Sequence, residues 1–218
     1  MAAPGGGAGG AGARGRRRWE RPALLAACAV PFGKMVVDGA TGGLGANPIE
    51  QVQDRLGFWA LAFLVLSLAP TPAQRLLGVA WPVRLRRQLG LLAFFTGLAH
   101  FSWYLGVDQF FDLRLVAADV AKRPFMAVGM ATLLLLLPLA VTSTDRWVAR
   151  LGFRRWKALH RLAYLAAALG VVHFAWRVKA DERQPLAFAA ALGTLLALRL
   201  LPRRGRRRAA PRSVVGQP

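Results

Sequence analysis

Six apolar runs, at 22–38, 57–70, 88–106, 124–143, 158–176 and 185–201, alternate with segments that hold most of the chain's charge. One such run could be the buried helix of a soluble domain. Six of them in 218 residues leave too little polar sequence to clothe a water-facing surface. Inside a bilayer every backbone N–H and C=O must be satisfied within the segment, so runs of this length predict helices. The expected fold class is all-α, a polytopic membrane helical bundle of about six transmembrane helices. Its short connections make sequential helices antiparallel neighbours.

The distribution of charge orients these spans. The chain carries 30 Lys and Arg against 10 Asp and Glu, a formal net charge of +20. With the N-terminus inside, 22 of the cations fall in cytoplasmic segments, 7 fall outside, and Lys34 interrupts the first span. Eight of the ten acidic residues fall outside. The asymmetry predicts cytoplasmic N- and C-termini with three outer loops. Cations so placed face anionic lipid headgroups; nucleic acid is not an expected partner. Asp108, Asp112 and Asp119 in the outer loops are either solvated or meet a partner outside.

Three regions follow. Residues 1–21 and 202–218 are basic, Gly/Ala/Arg-rich tails that cannot bury enough apolar surface to fold and are expected to be disordered. Residues 22–201 form the membrane domain. An Arg-rich start followed by an apolar run could mark a secretory signal, but Lys34 breaks the run and no small-residue cleavage site follows. The single cysteine, Cys28, excludes an intrachain disulfide and any CxxC site. It reads as a small packing residue.

The histidines carry the chemistry. His100 stands within GLLAFFTGLAHFSWYLGV and His173 within LGVVHFAW. At about 1.5 Å per residue, they lie about 18 and 22 Å from the cytoplasmic ends of two spans running in the same direction. Gly97 and Gly170 each precede their histidine by three residues, on nearly the same helix face. Two depth-matched imidazoles beside faces without side chains suit a b-type haem with both axial positions filled, an electron carrier rather than an oxygen binder. The competing reading has each ring hydrogen-bonded to a neighbouring helix.

His160 lies 13 residues before His173, about 20 Å away along the helix. That is the separation of two stacked haems. An ideal helix, however, turns the two rings about 220° apart, so they share a face only across a bend or bulge. Thirteen and fourteen residues before His100 stand Arg87 and Arg86, poor iron ligands but, with Arg161, candidate partners for propionates or a quinone headgroup. Inner-haem ligand and interfacial histidine both stay open for His160, as propionate contact and inside anchor do for Arg86 and Arg87. Trp103, Tyr104 and Trp176 could line an exit route for electrons or form an interfacial belt.

The segments GGLGANPIEQVQ (42–53), RRQLGLLAFFTGLAHFSWY (86–104), KRPFMAVGMA (122–131), LAVTSTDRW (139–147) and RRWKALHRLAYLAAALGVVHFAW (154–176) together resemble the MsrQ family. This family lies within the ferric-reductase-like transmembrane superfamily. In that superfamily two spans commonly carry two histidines each, for two haems. Three of those positions match here, at His100, His160 and His173, and the fourth departs to Arg86/Arg87. The resemblance implies one haem b, or two if His160 takes part, in a multi-pass protein of the inner membrane. It implies electrons drawn from membrane quinones and delivered to MsrP, a periplasmic molybdenum enzyme that reduces methionine sulfoxide in damaged proteins. FMN is implied too, although no residue pattern here can be assigned to a flavin.

The chain is thus expected to be an electron-transfer subunit rather than the catalytic reductase. No NADPH-binding domain accompanies the spans, so electrons are expected to enter from a lipid-soluble donor or a separate protein. A ferric or cupric reductase would use the same haem without MsrP. A haem-free transporter or scaffold would be expected to carry more ionisable or broken-helix features.

Overall fold

The computed structural model describes residues 20–78, 81–178 and 181–200. Every regular element among them is helical. In chain order these are α1 (Glu20–Thr41), α2 (Pro48–Leu68), α3 (Pro70–Leu77), a 3₁₀ turn (Trp81–Leu85), α4 (Arg86–Trp103), α5 (Leu113–Lys122), α6 (Pro124–Val141), α7 (Asp145–Leu151), α8 (Phe153–Leu159), α9 (Leu162–Arg177) and α10 (Arg183–Leu200). Among the described residues five stretches are long and apolar enough to cross a bilayer: Pro22–Thr41, Pro48–Leu77, Trp81–Asp108, Pro124–Val141 and Phe153–Arg177. The sixth expected span corresponds to α10, as long as Pro124–Val141 at 18 residues but not among these five. The all-α membrane bundle read from the sequence therefore stands. The two basic tails lie outside the described residues, apart from the first turn of α1.

Helix boundaries moved where polar residues turned out to lie inside helices. The second span was expected from residue 57, but α2 begins at Pro48, with Asn47 as N-cap accepting from the Glu50 N–H at 3.3 Å. Proline at the first helical position gives up a donor that would have no partner there anyway. Gln53, Asp54 and Arg55 broke the apolar run in the sequence, yet they belong to this helix and face inward at its outer end. In α1, Lys34 bonds Asp38 at 2.9 Å, and Arg55 of α2 pairs with the same carboxylate. The helix therefore runs through its charges to Thr41 rather than stopping at 38.

Two close pairs build the bundle: α2 against α4, and α6 against α9. Leu61, Leu64 and Leu68 of α2 meet Ala93 and Phe94 of α4, Leu136 and Leu139 of α6, and Ala163, Ala166 and Ala167 of α9 in one core. Ala93, Ala166 and Ala167 are completely buried. Without a hydrophobic driving force between helices in lipid, small side chains that let backbones approach are what hold such pairs together. Cys28 lies in the same core as a free thiol. Val30, Phe95, Leu134 and Leu165 point outward, as befits a lipid-facing surface.

Candidate functional site

His100, on α4, turns its ring onto α2. Its Nδ1 lies 2.9 Å from the Gln53 carbonyl oxygen. A carbonyl can only accept, so Nδ1 carries the proton and Nε2 keeps its lone pair. The ring lies on the bare backbone of Gly57, where an added Cβ would stand 2.9 Å from His100 Cε1.

His173 repeats the arrangement on the other pair. Its Nδ1 donates to the Phe125 carbonyl of α6 at 2.7 Å, and a Cβ on Gly129 would stand 2.7 Å from Cε1. In both halves the accepting carbonyl comes four residues before the glycine. One helix thus offers a carbonyl and, one turn later, a bare Cα; its neighbour lays an imidazole across both. Fixing Nδ1–H on a carbonyl sets the tautomer and ring orientation, as outer-shell partners do for metal-ligating histidines.

The two imidazole centroids are 6.3 Å apart with nearly perpendicular planes, at 86°. Both rings line one cavity of about 500 Å³, within the range of small-molecule and cofactor sites. Gly57, Gly97, Gly129 and Gly170 all line it. The sequence singled out Gly97 and Gly170 as making room beside the histidines. Gly170 instead admits Leu61, whose Cδ1 would lie 3.1 Å from an added Cβ, and Gly97 has only ordinary contacts with Leu133 and Ala60. The ring seats, Gly57 and Gly129, sit on the partner helices.

The cavity is apolar inside, with Phe58, Leu61, Leu133 and Phe174 among its walls, and polar at its outer mouth. There Arg177 pairs with Asp54 and, at 3.4 Å, with Glu50. Arg123 lies across the mouth, 3.8 Å from Asp119. Asp119 also accepts from Tyr104 Oη and Gln109 Nε2, each at 3.2 Å. α4 relaxes at this depth into a π-helical turn, Tyr104–Asp108, the kind of local widening that often marks functional sites. Gln53 contributes twice: its side-chain nitrogen lies 3.4 Å from His100 Nε2, and its Oε1 is buried without a partner. Trp103 and Tyr104 line the cavity, while Trp176 is exposed.

His160 is elsewhere. It caps α8 at the opposite end of the bundle, where the helix breaks before α9 resumes at Leu162. Its ring lies 4.1 Å from that of Trp156, tilted by 31°, and its Nε2 lies 3.2 Å from Thr142 Oγ1. That hydroxyl donates to the Pro138 carbonyl at 2.6 Å, so toward the imidazole it can only accept. His160 Nε2 therefore carries the proton, the opposite tautomer to His100 and His173. Arg87 bonds Asp145 at 3.1 Å at this same end, and Arg86 stands close enough to affect His160 electrostatically. Neither arginine reaches the cavity of His100 and His173.

Residues 56–171 match the family described as ferric reductase like transmembrane component. The chain is 52% identical over 200 residues to the protein-methionine-sulfoxide reductase heme-binding subunit MsrQ of Rhodospirillum rubrum, a match spanning 92% of this chain and 96% of that one. It is 47% identical to the MsrQ proteins of Herminiimonas arsenicoxydans, covering 83% of this chain and 82% of the relative, and Deinococcus radiodurans, covering 84% and 90%.

Proposed function

The chain belongs to the ferric-reductase-like transmembrane family and, within it, to the MsrQ group, and from that premise we propose that it holds one b-type haem between His100 and His173. The observation that carries the reading is the pair of imidazoles, each pinned through Nδ1 to a backbone carbonyl, 6.3 Å apart across one cavity. A metal–imidazole bond is about 2 Å. Adding a ring radius of about 1.2 Å on each side, from ordinary bond lengths, two rings on one iron place their centroids roughly 6 Å apart. Among the described residues no third His, Cys, Asp or Glu joins them as a ligand cluster. His100 and His173 would hold such a group through their imidazoles, and the haem would supply the other ligands of its iron.

The residues divide the work of holding such a group. His100 and His173 supply lone pairs at Nε2. Gly57 and Gly129 let the rings lie flat on the neighbouring helices. The apolar walls exclude water, and Arg123 and Arg177 at the mouth offer cations to the acidic edge of an amphiphilic macrocycle. Gln53, whose side-chain nitrogen lies 3.4 Å from His100 Nε2, would have to give up that contact for His100 to hold the group. Haem so bound supplies a one-electron carrier within the outer half of the membrane.

Membrane quinol serves as electron donor, and a periplasmic methionine sulfoxide reductase of the MsrP kind as acceptor. The relatives' description as the heme-binding subunit of that reductase supports the second assignment. The test is a reduced-minus-oxidised spectrum of the detergent-purified chain, followed by mixing with MsrP and methionine sulfoxide. A b-type spectrum that reoxidises only when both are present is the expected result. A chain that purifies without haem from haem-replete cells overturns the reading.

A further inference from the structure

At the inner end of the bundle two arginines from different helices come together, and among the described residues no carboxylate pairs with either. Arg199, in the last turn of α10, bonds the Tyr164 hydroxyl and the Leu68 carbonyl, and its guanidinium lies over the Tyr164 ring, 4.7 Å from the centroid. Arg75 of α3 donates in turn to the Arg199 carbonyl. Arg86 adds a third positive charge nearby.

Capping explains part of this arrangement. The Leu68 and Arg199 carbonyls close α2 and α10, and cations at helix C-termini are favourable. Those bonds use only the terminal nitrogens. The Nε atoms of both Arg75 and Arg199 are buried with no acceptor. A buried ionised donor left unpaired is costly, and two like charges in one place add to that cost. The sequence supplies little to relieve it: the residues of the inner segments include two acids, Glu20 and Asp145, and Asp145 is engaged by Arg87.

We propose that Arg75 and Arg199, floored by Tyr164, form a binding site for a phosphate group at the inner membrane surface. Guanidinium forks match the planar pairs of oxygens that a phosphate presents, and an oxyanion accepts from Nε and Nη together. Two sources share that chemistry, the headgroup phosphate of an anionic lipid and a free phosphate. The site is independent of the haem and lies at the far end of the bundle from the His100–His173 cavity.

Thermal unfolding of the delipidated, detergent-purified full chain tests it, with phosphatidylglycerol, phosphatidylcholine or inorganic phosphate added at matched ionic strength. Phosphatidylglycerol is expected to raise the melting temperature of the native chain through preferential binding to the folded state. The shift should fall by roughly half or more in Arg75→Gln and Arg199→Lys, which loses the fork while keeping the charge, and persist in Arg146→Gln, an exposed cation at the same end. Stabilisation by phosphatidylglycerol alone assigns the site to lipid, and an equal shift from inorganic phosphate assigns it to the free anion. If no phosphate species shifts the melting, or if Arg146→Gln loses as much as Arg75→Gln, the proposal is overturned. Arg75→Gln keeps the test decisive if the Arg199 variant does not fold.

Discussion

Histidines stand at both ends of the same bundle, and their rings are held oppositely. At the outer end each ring spends Nδ1–H on a backbone carbonyl, lies against a bare glycine and lines a shared cavity. At the inner end His160 spends Nε2–H on Thr142 and covers one ring face with Trp156. The outer rings commit Nδ1 and keep an unprotonated Nε2, which in His100 lies 3.4 Å from the Gln53 side-chain nitrogen; the inner ring commits Nε2. On the proposed haem reading, depth alone does not make a histidine a ligand; which nitrogen the neighbouring helix claims separates the two ends.

That contrast can be broken experimentally. Replacing His100 or His173 by Ala removes one of the two proposed haem ligands, and the b-type absorbance per protein should fall to background in the purified variant. Gly129→Ala and Gly57→Ala put a methyl where the ring lies, at 2.7 and 2.9 Å from Cε1. Displacing a ligand by disturbing what orients it typically costs about 10–100-fold in affinity, measurable by haem titration of the apoprotein. Retention of native affinity in both would show that the glycines do not position the rings. Arg177→Gln breaks the ion pairs at the mouth and should lower unfolding stability by about 1 kcal/mol, as expected of a partly exposed pair. Denaturant melts report it, with a modest loss of haem on dilution. His160→Ala should be the mildest, with the spectrum unchanged and stability lowered by about 1 kcal/mol for the lost hydrogen bond. A spectrum that loses intensity in this variant would place a ligand at the inner end after all.

The sequence made the bundle legible because bilayer thickness turns apolar run length into helix count. The matched depth of His100 and His173 followed from rise per residue alone. Their ring seats did not. Gly57 and Gly129 lie 43 and 44 residues before the histidines they receive, and nothing in one helix tells which face of another it will meet. With the α2–α4 and α6–α9 pairing known, the repeated carbonyl, glycine and histidine pattern becomes a signal, although no internal repeat shows in the residues. Polar α2 residues such as Gln53 and Asp54 were misplaced for a related reason: they interrupt hydropathy while facing a cavity rather than lipid. The short helices α3, α5, α7 and α8 read as loops because they lie between spans and carry charge. The tautomer of His160 depended on a hydroxyl 18 residues away.

Haem-to-protein stoichiometry, taken on the native chain beside His160→Ala, addresses the division between the two ends most directly. One haem per chain in both proteins is the predicted outcome. Two haems in the native chain with one in the variant would contradict it, because the inner imidazole would then be a ligand despite the proton it gives to Thr142.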